Sequence, residues 1–516
     1  MENEELIYLD SYLIQQDMRI RLPKSILENL QLQKGVSKLH IYLDTKNGRI
    51  VMKKDKDTQQ LSFDIPVQQP TTKKVVKFID LFAGLGGIRL GFEQAFRERG
   101  YETRCVLTSE IKPYAVEALK ENFPQDDLQG DIHEIKAEDI EDFDFLLAGF
   151  PCQAFSMAGK GLGFLDTRGT LFFEVERILK EKKPYGFILE NVEGLVLHDR
   201  EKSTDPIGRT LQIILASLEN LGYKVQWRLL ECQKFGVPQL RKRIFIVGTR
   251  DTNVDMDNFE YIDAVVGDIL EKGKPTVQSH FTKCLLSHYQ PEELYGKAIK
   301  DKRGGENNIH SWDIGLKGEI TNEQKRLIER LFRERRKKHW AEEIGIKWMD
   351  GMPLTEAQIS TFFPHAQLKK LLDDLVEKGY LVMEHPKQVV VRTMEDGSTY
   401  EAREQDDSLP LGYNIVAGKL SFEFTKILDP NDVAPTLVAA DVSHIGVVDG
   451  DGIRKLTIRE GLRMFGYPEN YNLSMFDDDS TGLAKAFDLL GNTVVVPVVK
   501  AVASKVCEAY SEAIKQ

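Results

Sequence analysis

The chain has few cysteines and no long uninterrupted run of apolar residues. Its five cysteines are odd in number and contain no Cys-x-x-Cys pair, so neither a zinc knuckle nor a disulfide framework is indicated. No apolar run approaches the roughly 18 residues of a membrane span, and the acidic opening MENEE is unlike a secretory signal. We therefore expect a cytoplasmic protein with no membrane association and no bound metal.

The composition is that of a globular protein with several domains. The chain is 41% hydrophobic and 29% charged, and its 516 residues correspond to about three domains. The net charge of −12 argues against nonspecific coating of nucleic acid by the whole surface. A local basic face remains compatible with that charge.

Four stretches of the chain differ in pattern. Residues 1–55 alternate short strands with a helix, and the polar residues 56–74 contain two prolines, which predicts a linker. In residues 75–250, short apolar strands alternate with amphipathic helices, the pattern of a parallel sheet covered on both faces. Residues 251–452 lose that alternation, and residues 453–516 return to helix and strand signals that would complete the core.

A glycine-rich turn follows the first strand of the parallel region. In FIDLFAGLGG, the glycines let a ligand approach the backbone at the start of a helix. Nucleotide, dinucleotide and adenosyl-methionine sites all use such a turn, and a plain tight turn has the same pattern. Glu110 ends the next strand, where a carboxylate would bind ribose hydroxyls, and no Walker lysine follows, which disfavours phosphate transfer.

A cysteine lies at the end of another strand. In FDFLLAGFPCQAFS, Cys152 follows Pro151 at the edge where parallel sheets bind ligands, and we interpret this thiol as a nucleophile. A buried cysteine that acts as a small apolar residue is the alternative. That alternative fits Cys105, Cys232 and Cys507 better.

Seven motifs in a fixed order carry a family resemblance. They are FIDLFAGLGG, GFPCQAFS, DTRGTLFFEV, ENV, PQLRKRIFIVG, RKLTIREGLRMFGYP and GNTVVVPV. Over residues 75–250 and 453–500, the set resembles the motifs of DNA (cytosine-5) methyltransferases. The resemblance implies an α/β fold: a Rossmann-like, S-adenosylmethionine-dependent methyltransferase core with a mostly parallel sheet. Residues 251–452 would be a mixed α/β target-recognition insert, and residues 453–516 would complete the core.

The resemblance implies which residues act on the base. Cys152 matches the thiol that attacks carbon 6 of cytosine, and such covalent catalysis divides one hard step into easier ones. Glu190 matches the carboxylate that bonds ring nitrogen 3 and the exocyclic amine, with local capping or pairing as its structural alternative. Arg243 would hold the cytosine carbonyl oxygen, and Arg241 would support the catalytic loop or a phosphate.

The resemblance also implies a pocket for S-adenosylmethionine. Phe82 would stack on the adenine and Glu110 would bind the ribose, while Gly84 and Gly86 would lie at the methionine end. The other residues of the pocket would be Gly87, Ile111, Asp131, Ile132, Leu171, Asn492 and Thr493.

Double-stranded DNA is the implied partner, and its cytosine must be flipped out of the duplex to be methylated. Residues 325–338 (KRLIERLFRERRKK) contain eight basic and two acidic residues, a net +6 that fits phosphate contacts. A solvated helix face has the same pattern. The residues predicted to contact DNA are Gln239, Arg333, Arg335, Arg336, Lys337, Gly418 and Thr436.

The N-terminal segment carries a second resemblance. MRIRLPKSILENLQLQKGVSKLHIYLDTKNGRIVMKK is similar to AbrB-like swapped-hairpin domains. The resemblance implies that residues 1–55 form a small β-rich domain that pairs with a second chain, because a unit below ~60 residues buries little surface alone. A β unit packed on the catalytic domain is the alternative.

Together these features predict a site-specific DNA cytosine carbon-5 methyltransferase, the functional partner of a bacterial restriction endonuclease and a candidate homodimer. Methylation of RNA is an alternative, disfavoured by the long insert and by the absence of a Cys-Phe-Thr signature. A catalytically silent DNA-binding regulator is a second alternative. It is disfavoured because Cys152, Glu190 and Arg243 occur together with the cofactor motifs.

Overall fold

The chain divides by its contacts into two compact units, Met1–Lys74 and Val75–Gln516. The structure, a computed structural model, describes residues 39–44, 49–54, 60–64, 74–150, 170–301, 305–394, 399–416, 422–439, 442–477 and 480–515. In the first unit, the described strands β1 (Leu39–Asp44), β2 (Arg49–Lys54) and β3 (Gln60–Asp64) pair antiparallel in the order β1-β2-β3. The helix predicted at KSILENLQL, and most residues of the AbrB-like resemblance, lie outside the described residues.

The second unit is built on a seven-stranded sheet in the order β6-β5-β4-β7-β8-β10-β9. Its strands are β4 (Val75–Leu81), β5 (Glu102–Ser109), β6 (Leu128–Gln129), β7 (Phe145–Gly149), β8 (Gly186–Val192), β9 (Lys224–Glu231) and β10 (Lys242–Thr249). The pairs from β6 to β8 are parallel, and β10 is antiparallel to both β8 and β9. The predicted α/β fold with a mostly parallel sheet is confirmed.

Both faces of this sheet are buried. In β7, Phe145 and Leu147 belong to one hydrophobic cluster, and Leu146 and Ala148 belong to the cluster on the opposite face. Successive strand residues point to opposite faces, so a continuous apolar run is what a sheet covered on both sides requires. The helices that follow the strands are α1 (Gly87–Glu98), α2 (Pro113–Asn122), α3 (Thr170–Lys182) and α4 (Arg209–Asn220).

The C-terminal helices complete one of these layers. They are α10 (Ile458–Met464), α11 (Ser480–Asn492) and α12 (Val496–Lys515). Helix α12 packs on α1 at Gly91, where a Cβ would lie 2.6 Å from Val499 Cβ and 2.8 Å from the Val496 carbonyl oxygen. The missing side chain therefore permits the close approach of the two helices.

One apolar segment differs from the expectation that no such stretch exists. By length and composition, Thr481–Ile514 could span a membrane, with a mean hydropathy of 1.5 over its most apolar window. However, 72% of that window is buried inside the structure. Its packing against α1 accounts for the apolar composition.

The chain between β10 and α10 has two parts. The first is a sheet in the order β12-β11-β17-β18-β19, against which α5 (His280–His288) packs through Phe281 and Leu285. Its strands are β11 (Ala298–Ile299), β12 (Asn308–Ile309), β17 (Lys426–Ile427), β18 (Ile445–Asp449) and β19 (Gly452–Lys455).

The second part has a hydrophobic cluster of its own, which includes Leu327, Leu331 and Leu372. Its helices are α6 (Asn322–Glu334), α7 (His339–Glu343), α8 (Glu356–Phe362) and α9 (Leu368–Glu377). Its strands are β13 (Leu381–Glu384), paired with β16 (Gly412–Ile415), and the hairpin of β14 (Lys387–Thr393) and β15 (Thr399–Gln405). Helices and strands therefore both contribute to this insert.

Candidate active site

A buried acid and a basic residue meet at the carboxyl end of β8. Glu190 is only 8% exposed, and its Oε1 lies 3.0 Å from Arg243 Nε on the neighbouring strand β10. Burial raises the pKa of Glu190, an effect that the positive charges of Arg243 and Arg241 oppose. The described partner of Glu190 is thus Arg243, the other predicted base-binding residue, and a purely structural pairing of these two side chains remains the alternative.

The strand that leads to Cys152 ends beside Glu190. Gly149 of β7 pairs with Glu190, and Asn191 Nδ2 donates a hydrogen bond of 3.0 Å to the Phe150 carbonyl oxygen. Phe150 is buried, so the chain is held in place just before it enters the segment 151–169. Cys152 and the rest of that segment lie outside the described residues.

Three of the four described cysteines are poor nucleophile candidates because of their surroundings. Burial raises the pKa of Cys105 and Cys507 to about 11 and that of Cys232 to about 12. A thiol with such a pKa is almost entirely protonated near neutral pH. Cys284, on α5, is partly exposed and lies 3.6 Å from His280 Nε2.

The glycine turn after β4 is held by Glu110. Glu110 Oε2 accepts a 2.8 Å hydrogen bond from the Gly84 N–H, while Oε1 accepts from the N–H groups of Ile111 and Lys112. Phe82 and Gly84 both have positive φ values, 57° and 56°, so the chain turns sharply at the end of the strand. The carboxylate thus fixes the turn to the end of β5.

The three glycines of this turn have different surroundings. A Cβ on Gly84 would meet nothing within 4 Å, whereas one on Gly86 would lie 2.7 Å from Phe123 Cε2. A Cβ on Gly87 would lie 2.7 Å from the Tyr467 hydroxyl oxygen. Gly84 therefore leaves room for a ligand, and Gly86 and Gly87 make room for protein side chains.

Sequence reasoning missed Asp80 as a site residue. Asp80 is buried just before this turn, and neither carboxylate oxygen has a hydrogen-bond partner among the described residues. Burial raises its pKa to about 7, against the lowering effect of Arg89. Its place in FIDLFAGLGG, two residues before Phe82, was the signal available in the sequence.

The remaining residues predicted for the cofactor pocket differ in exposure. Ile111 is 70% exposed, and Asp131 accepts hydrogen bonds from the backbone and ring of His133, which lower the pKa of Asp131. Ile132 is buried, and Leu171 packs against the same hydrophobic cluster.

Two pocket predictions fall in the C-terminal segment. Asn492 is exposed and bonds Asp488, whereas Thr493 is buried, with its Oγ1 2.5 Å from the Tyr467 hydroxyl oxygen. Since Tyr467 also contacts Gly87, Thr493 is linked to the glycine turn.

Two residues predicted to act on DNA or the catalytic loop are fully internal. Gln239 is 0% exposed, and its Nε2 donates to the Met464 carbonyl oxygen at 3.1 Å. Arg241 is 1% exposed and donates to the carbonyl oxygens of Leu437, Gly491 and Thr493 at 2.8 to 3.2 Å. Direct contact of Gln239 with DNA is therefore a wrong prediction, and Arg241 is too buried in this structure for the alternative contact with a phosphate. Support of the catalytic loop by Arg241 stays a prediction.

The basic run of residues 325–338 extends past the end of α6 at Glu334 and does not form one exposed face. Arg335 is buried, and its Nη1 donates to Asn414 Oδ1 at 2.6 Å, so its prediction as a DNA contact is also wrong. Arg336 is half-buried, with its Nε 3.4 Å from Asp350 Oδ1. Arg333 and Lys337 are exposed, and Lys337 Nζ lies 2.7 Å from Glu334 Oε2; their contact with phosphates stays a prediction.

The other two predicted DNA contacts lie in the second half of the insert. Gly418 lies outside the described residues. Thr436 is exposed, and its hydroxyl donates to the Leu240 carbonyl oxygen. Thr436 is thus joined to the segment that leads into β10.

Comparison with known proteins assigns the family. The sequence pattern of the family described as C-5 cytosine-specific DNA methylase matches residues 76–508. The chain belongs to this family. This DNA (cytosine-5) methyltransferase uses S-adenosylmethionine, which confirms the predicted enzyme class and cofactor.

The methyltransferase is similar to type II enzymes over nearly their whole lengths. It is 59% identical over 430 residues to the type II methyltransferase M.NlaIV of Neisseria lactamica, an alignment that covers 83% of this chain and 98% of that protein. M.NgoBV of Neisseria gonorrhoeae is 58% identical with the same coverage. M.HgiCI of Herpetosiphon aurantiacus is 42% identical, covering 83% of this chain and 97% of that protein.

Proposed function

We propose that the methyltransferase modifies carbon 5 of a flipped cytosine at one DNA sequence, through a transient covalent bond to Cys152. The observation that carries the proposal is the Glu190–Arg243 pair at the end of β8, with 3.0 Å between Oε1 and Nε. The hydrogen bond from Asn191 holds the chain just before Cys152 next to this pair. A thiol, an acid and a guanidinium near one strand edge suit the attack on a polar ring.

The proposed reaction begins with covalent attack on the cytosine ring. The Cys152 thiolate bonds to carbon 6, and the electron pair of the 5,6 double bond becomes available at carbon 5. Glu190 donates a proton to ring nitrogen 3, while Arg243 holds the carbonyl oxygen. S-adenosylmethionine would supply the methyl group to carbon 5 and leave as S-adenosylhomocysteine. Loss of the carbon-5 proton to a solvent base then restores the double bond and expels the thiolate, and the proton on ring nitrogen 3 returns to Glu190.

The glycine turn fits S-adenosylmethionine. The space at Gly84 is open, and the Glu110 carboxylate has lone pairs left for a ribose hydroxyl after accepting three N–H groups. The buried carboxyl of Asp80, which has no hydrogen-bond partner among the described residues, offers an acceptor to a donor group of the ligand. In this proposal Phe82, Gly84 and Glu110 hold the cofactor, and Gly86 and Gly87 shape the turn.

Adding a methyl group at Gly84 should weaken cofactor binding without unfolding the protein. Gly84→Ala places a Cβ in the open space and should lower the affinity for S-adenosylhomocysteine about tenfold. Gly100→Ala is the matched control, since Gly100 also has positive φ and an open Cβ position. Calorimetric titration should show an unchanged affinity for the control. Equal affinities in the two variants would contradict this placement of the cofactor.

The insert would recognise the DNA, and the exposed residues of the basic run would contact phosphates. Arg333 lies seven positions after Arg326, a spacing that places both on one side of α6. Lys337 lies in the turn after the helix and is exposed, with its Nζ 2.7 Å from Glu334 Oε2. Arg330 lies between Arg326 and Arg333 on that side and is also exposed, although its Nε pairs with Glu334. Such a stripe suits sequence-independent attraction to the DNA backbone.

Removing two of these charges should flatten the salt dependence of DNA binding. Each lost phosphate contact reduces the magnitude of the slope of log K against log salt by about 0.9. Arg333→Ala with Lys337→Ala should therefore reduce that magnitude by about 1.8. Lys120→Ala with Lys136→Ala removes the same charge from exposed sites outside the insert. Fluorescence anisotropy over a salt series measures both slopes. Equal slopes would make the stripe an ordinary solvated helix face.

The biological setting we propose is a restriction-modification system, in which methylation protects host DNA from a partner endonuclease in the cytoplasm. The relatives are named type II methyltransferases, which supports this setting. Bisulfite sequencing of plasmid from an expressing host should show methylcytosine at one short sequence. Labelled methyl transfer to transfer RNA but not to duplex DNA would contradict the proposal.

For the N-terminal unit we propose an AbrB-like domain that joins two chains. Support comes from its sequence pattern and from the family match, which begins only at residue 76. Sedimentation should find the full chain dimeric and residues 70–516 monomeric, with a kcat within about twofold of the full chain. A monomeric full chain, or insoluble residues 70–516, would contradict this proposal.

A further inference from the structure

Two buried polar side chains, Gln239 and Arg241, connect the start of β10 to two distant segments of the methyltransferase. We call these two residues the clamp. The recognition segment, residues 434–439, belongs to the insert. The cofactor-side segment, residues 491–493, ends with Thr493, which is predicted for the cofactor pocket. The clamp makes hydrogen bonds to both segments.

The recognition segment is fixed to the clamp by side-chain and backbone hydrogen bonds. Gln239 Oε1 accepts from the Leu437 N–H at 3.1 Å, and Arg241 Nη1 donates to the Leu437 carbonyl oxygen at 2.9 Å. The Leu240 N–H donates to the Ala434 carbonyl oxygen at 2.8 Å. Both backbone groups of Leu437 are therefore held, immediately after the exposed Thr436.

The same guanidinium holds the cofactor-side segment. Arg241 Nη2 donates to the Thr493 carbonyl oxygen at 2.8 Å and to that of Gly491 at 3.2 Å. Thr493 in turn contacts Tyr467, which packs against Gly87 of the glycine turn. One side chain thus fixes the insert and the cofactor pocket to the same point of the core.

The charge of Arg241 is costly to bury in this place. Its hydrogen-bond acceptors are carbonyl oxygens, its Nε has no partner among the described residues, and burial lowers its pKa to about 9. An apolar residue in place of Arg241 would avoid this desolvation cost. It would also lack the N–H groups that hold the carbonyl oxygens of the two segments at fixed positions. Two residues later, Arg243 meets Glu190, so the position of the clamp sets the position of the base-binding pair.

We propose that Gln239 and Arg241 are positioning residues that hold the recognition segment and the cofactor-side segment in one register against β10. DNA bound by the insert then presents its cytosine to Glu190 and Arg243 at one fixed offset. This inference rests on the proposed function. Misplacement by about 1 Å can slow a reaction about a hundredfold, so the clamp acts on rate rather than on affinity.

Gln239→Met tests the clamp with a side chain of similar size that makes neither hydrogen bond. The methyl-transfer rate in a single turnover, on saturated enzyme–cofactor–DNA complex, should fall by about tenfold to a hundredfold. The equilibrium affinity for the same duplex should stay within about threefold. Arg241→Met should show a larger loss, and Arg241→Lys should recover part of it because an ammonium still donates to carbonyl oxygens.

Gln324→Met is the matched control. Gln324 is also a buried glutamine, bonded to Asp374 and to the Thr321 N–H, but it lies in α6 away from the clamp. Its variant should lose stability and keep the wild-type rate.

If Arg241→Met fails to fold, Gln239→Met decides the question. A rate within about twofold of wild type in folded Gln239→Met would overturn the proposal. A Gln239→Met variant that loses DNA affinity but keeps the wild-type rate at saturation would also overturn the proposal, because the clamp would then act in binding. If wild type and Gln324→Met also transfer no methyl group to duplex DNA, the proposed function itself fails.

Discussion

Cys152→Ala should abolish methyl transfer while leaving cofactor binding nearly intact. In the proposed reaction the Cys152 thiolate forms the bond to carbon 6, and none of the four described cysteines combines exposure with a position at this strand edge. The residues proposed to bind the cofactor, Phe82, Gly84 and Glu110, follow other strands, β4 and β5. Labelled methyl transfer measures the first property and calorimetric titration with S-adenosylhomocysteine measures the second.

The control for this experiment is Cys284→Ala, because Cys284 is partly exposed and lies outside the proposed site. It should keep the wild-type rate. If Cys152→Ala retains about a tenth of the activity, Cys152 is not the nucleophile, since losing a covalent catalyst costs far more than that.

Glu190→Gln should lower the rate of methyl transfer by about a hundredfold or more, the usual cost of removing a proton donor. Burial raises the pKa of Glu190, so the protonated fraction of this carboxyl at a given pH is larger than that of an exposed glutamate. The protonated fraction falls as pH rises, and the single-turnover rate of the wild type should contain a limb that falls in that direction.

The glutamine variant should lack this limb, since its amide does not titrate. Its cofactor affinity should equal that of the wild type, because Glu190 lies on β8 whereas the glycine turn follows β4. A rate loss below about threefold, or an unchanged pH profile, would show that the carboxyl does not act on the ring.

The sequence was sufficient to predict those features that local patterns encode. Continuous apolar strands alternating with helices predicted a sheet buried on both faces, and β7 shows why, with successive residues in opposite clusters. The family resemblance implied that Glu190 and Arg243 serve one site, and the structure brings them into contact. The family assignment followed from the order of the motifs and is confirmed by the comparison.

Burial of polar residues was not predictable, because their partners are distant in the chain. Arg335 was assigned to the DNA surface from its neighbours, but its acceptor on Asn414 is 79 residues away. The acceptors of Arg241 on Leu437 and Thr493 are 196 and 252 residues away. A charge pattern describes a segment, whereas burial depends on what the fold packs against it.

Covalent trapping on a duplex with 5-fluorocytosine at the methylated position tests the central claim most directly. Fluorine at carbon 5 cannot leave as a proton does, so the bond between sulfur and carbon 6 should persist after methyl transfer. Mass spectrometry should find the DNA attached to the peptide that contains Cys152, and Cys152→Ala should give no adduct. An adduct on another residue, or a methylated product without any adduct in the wild type, would contradict the account.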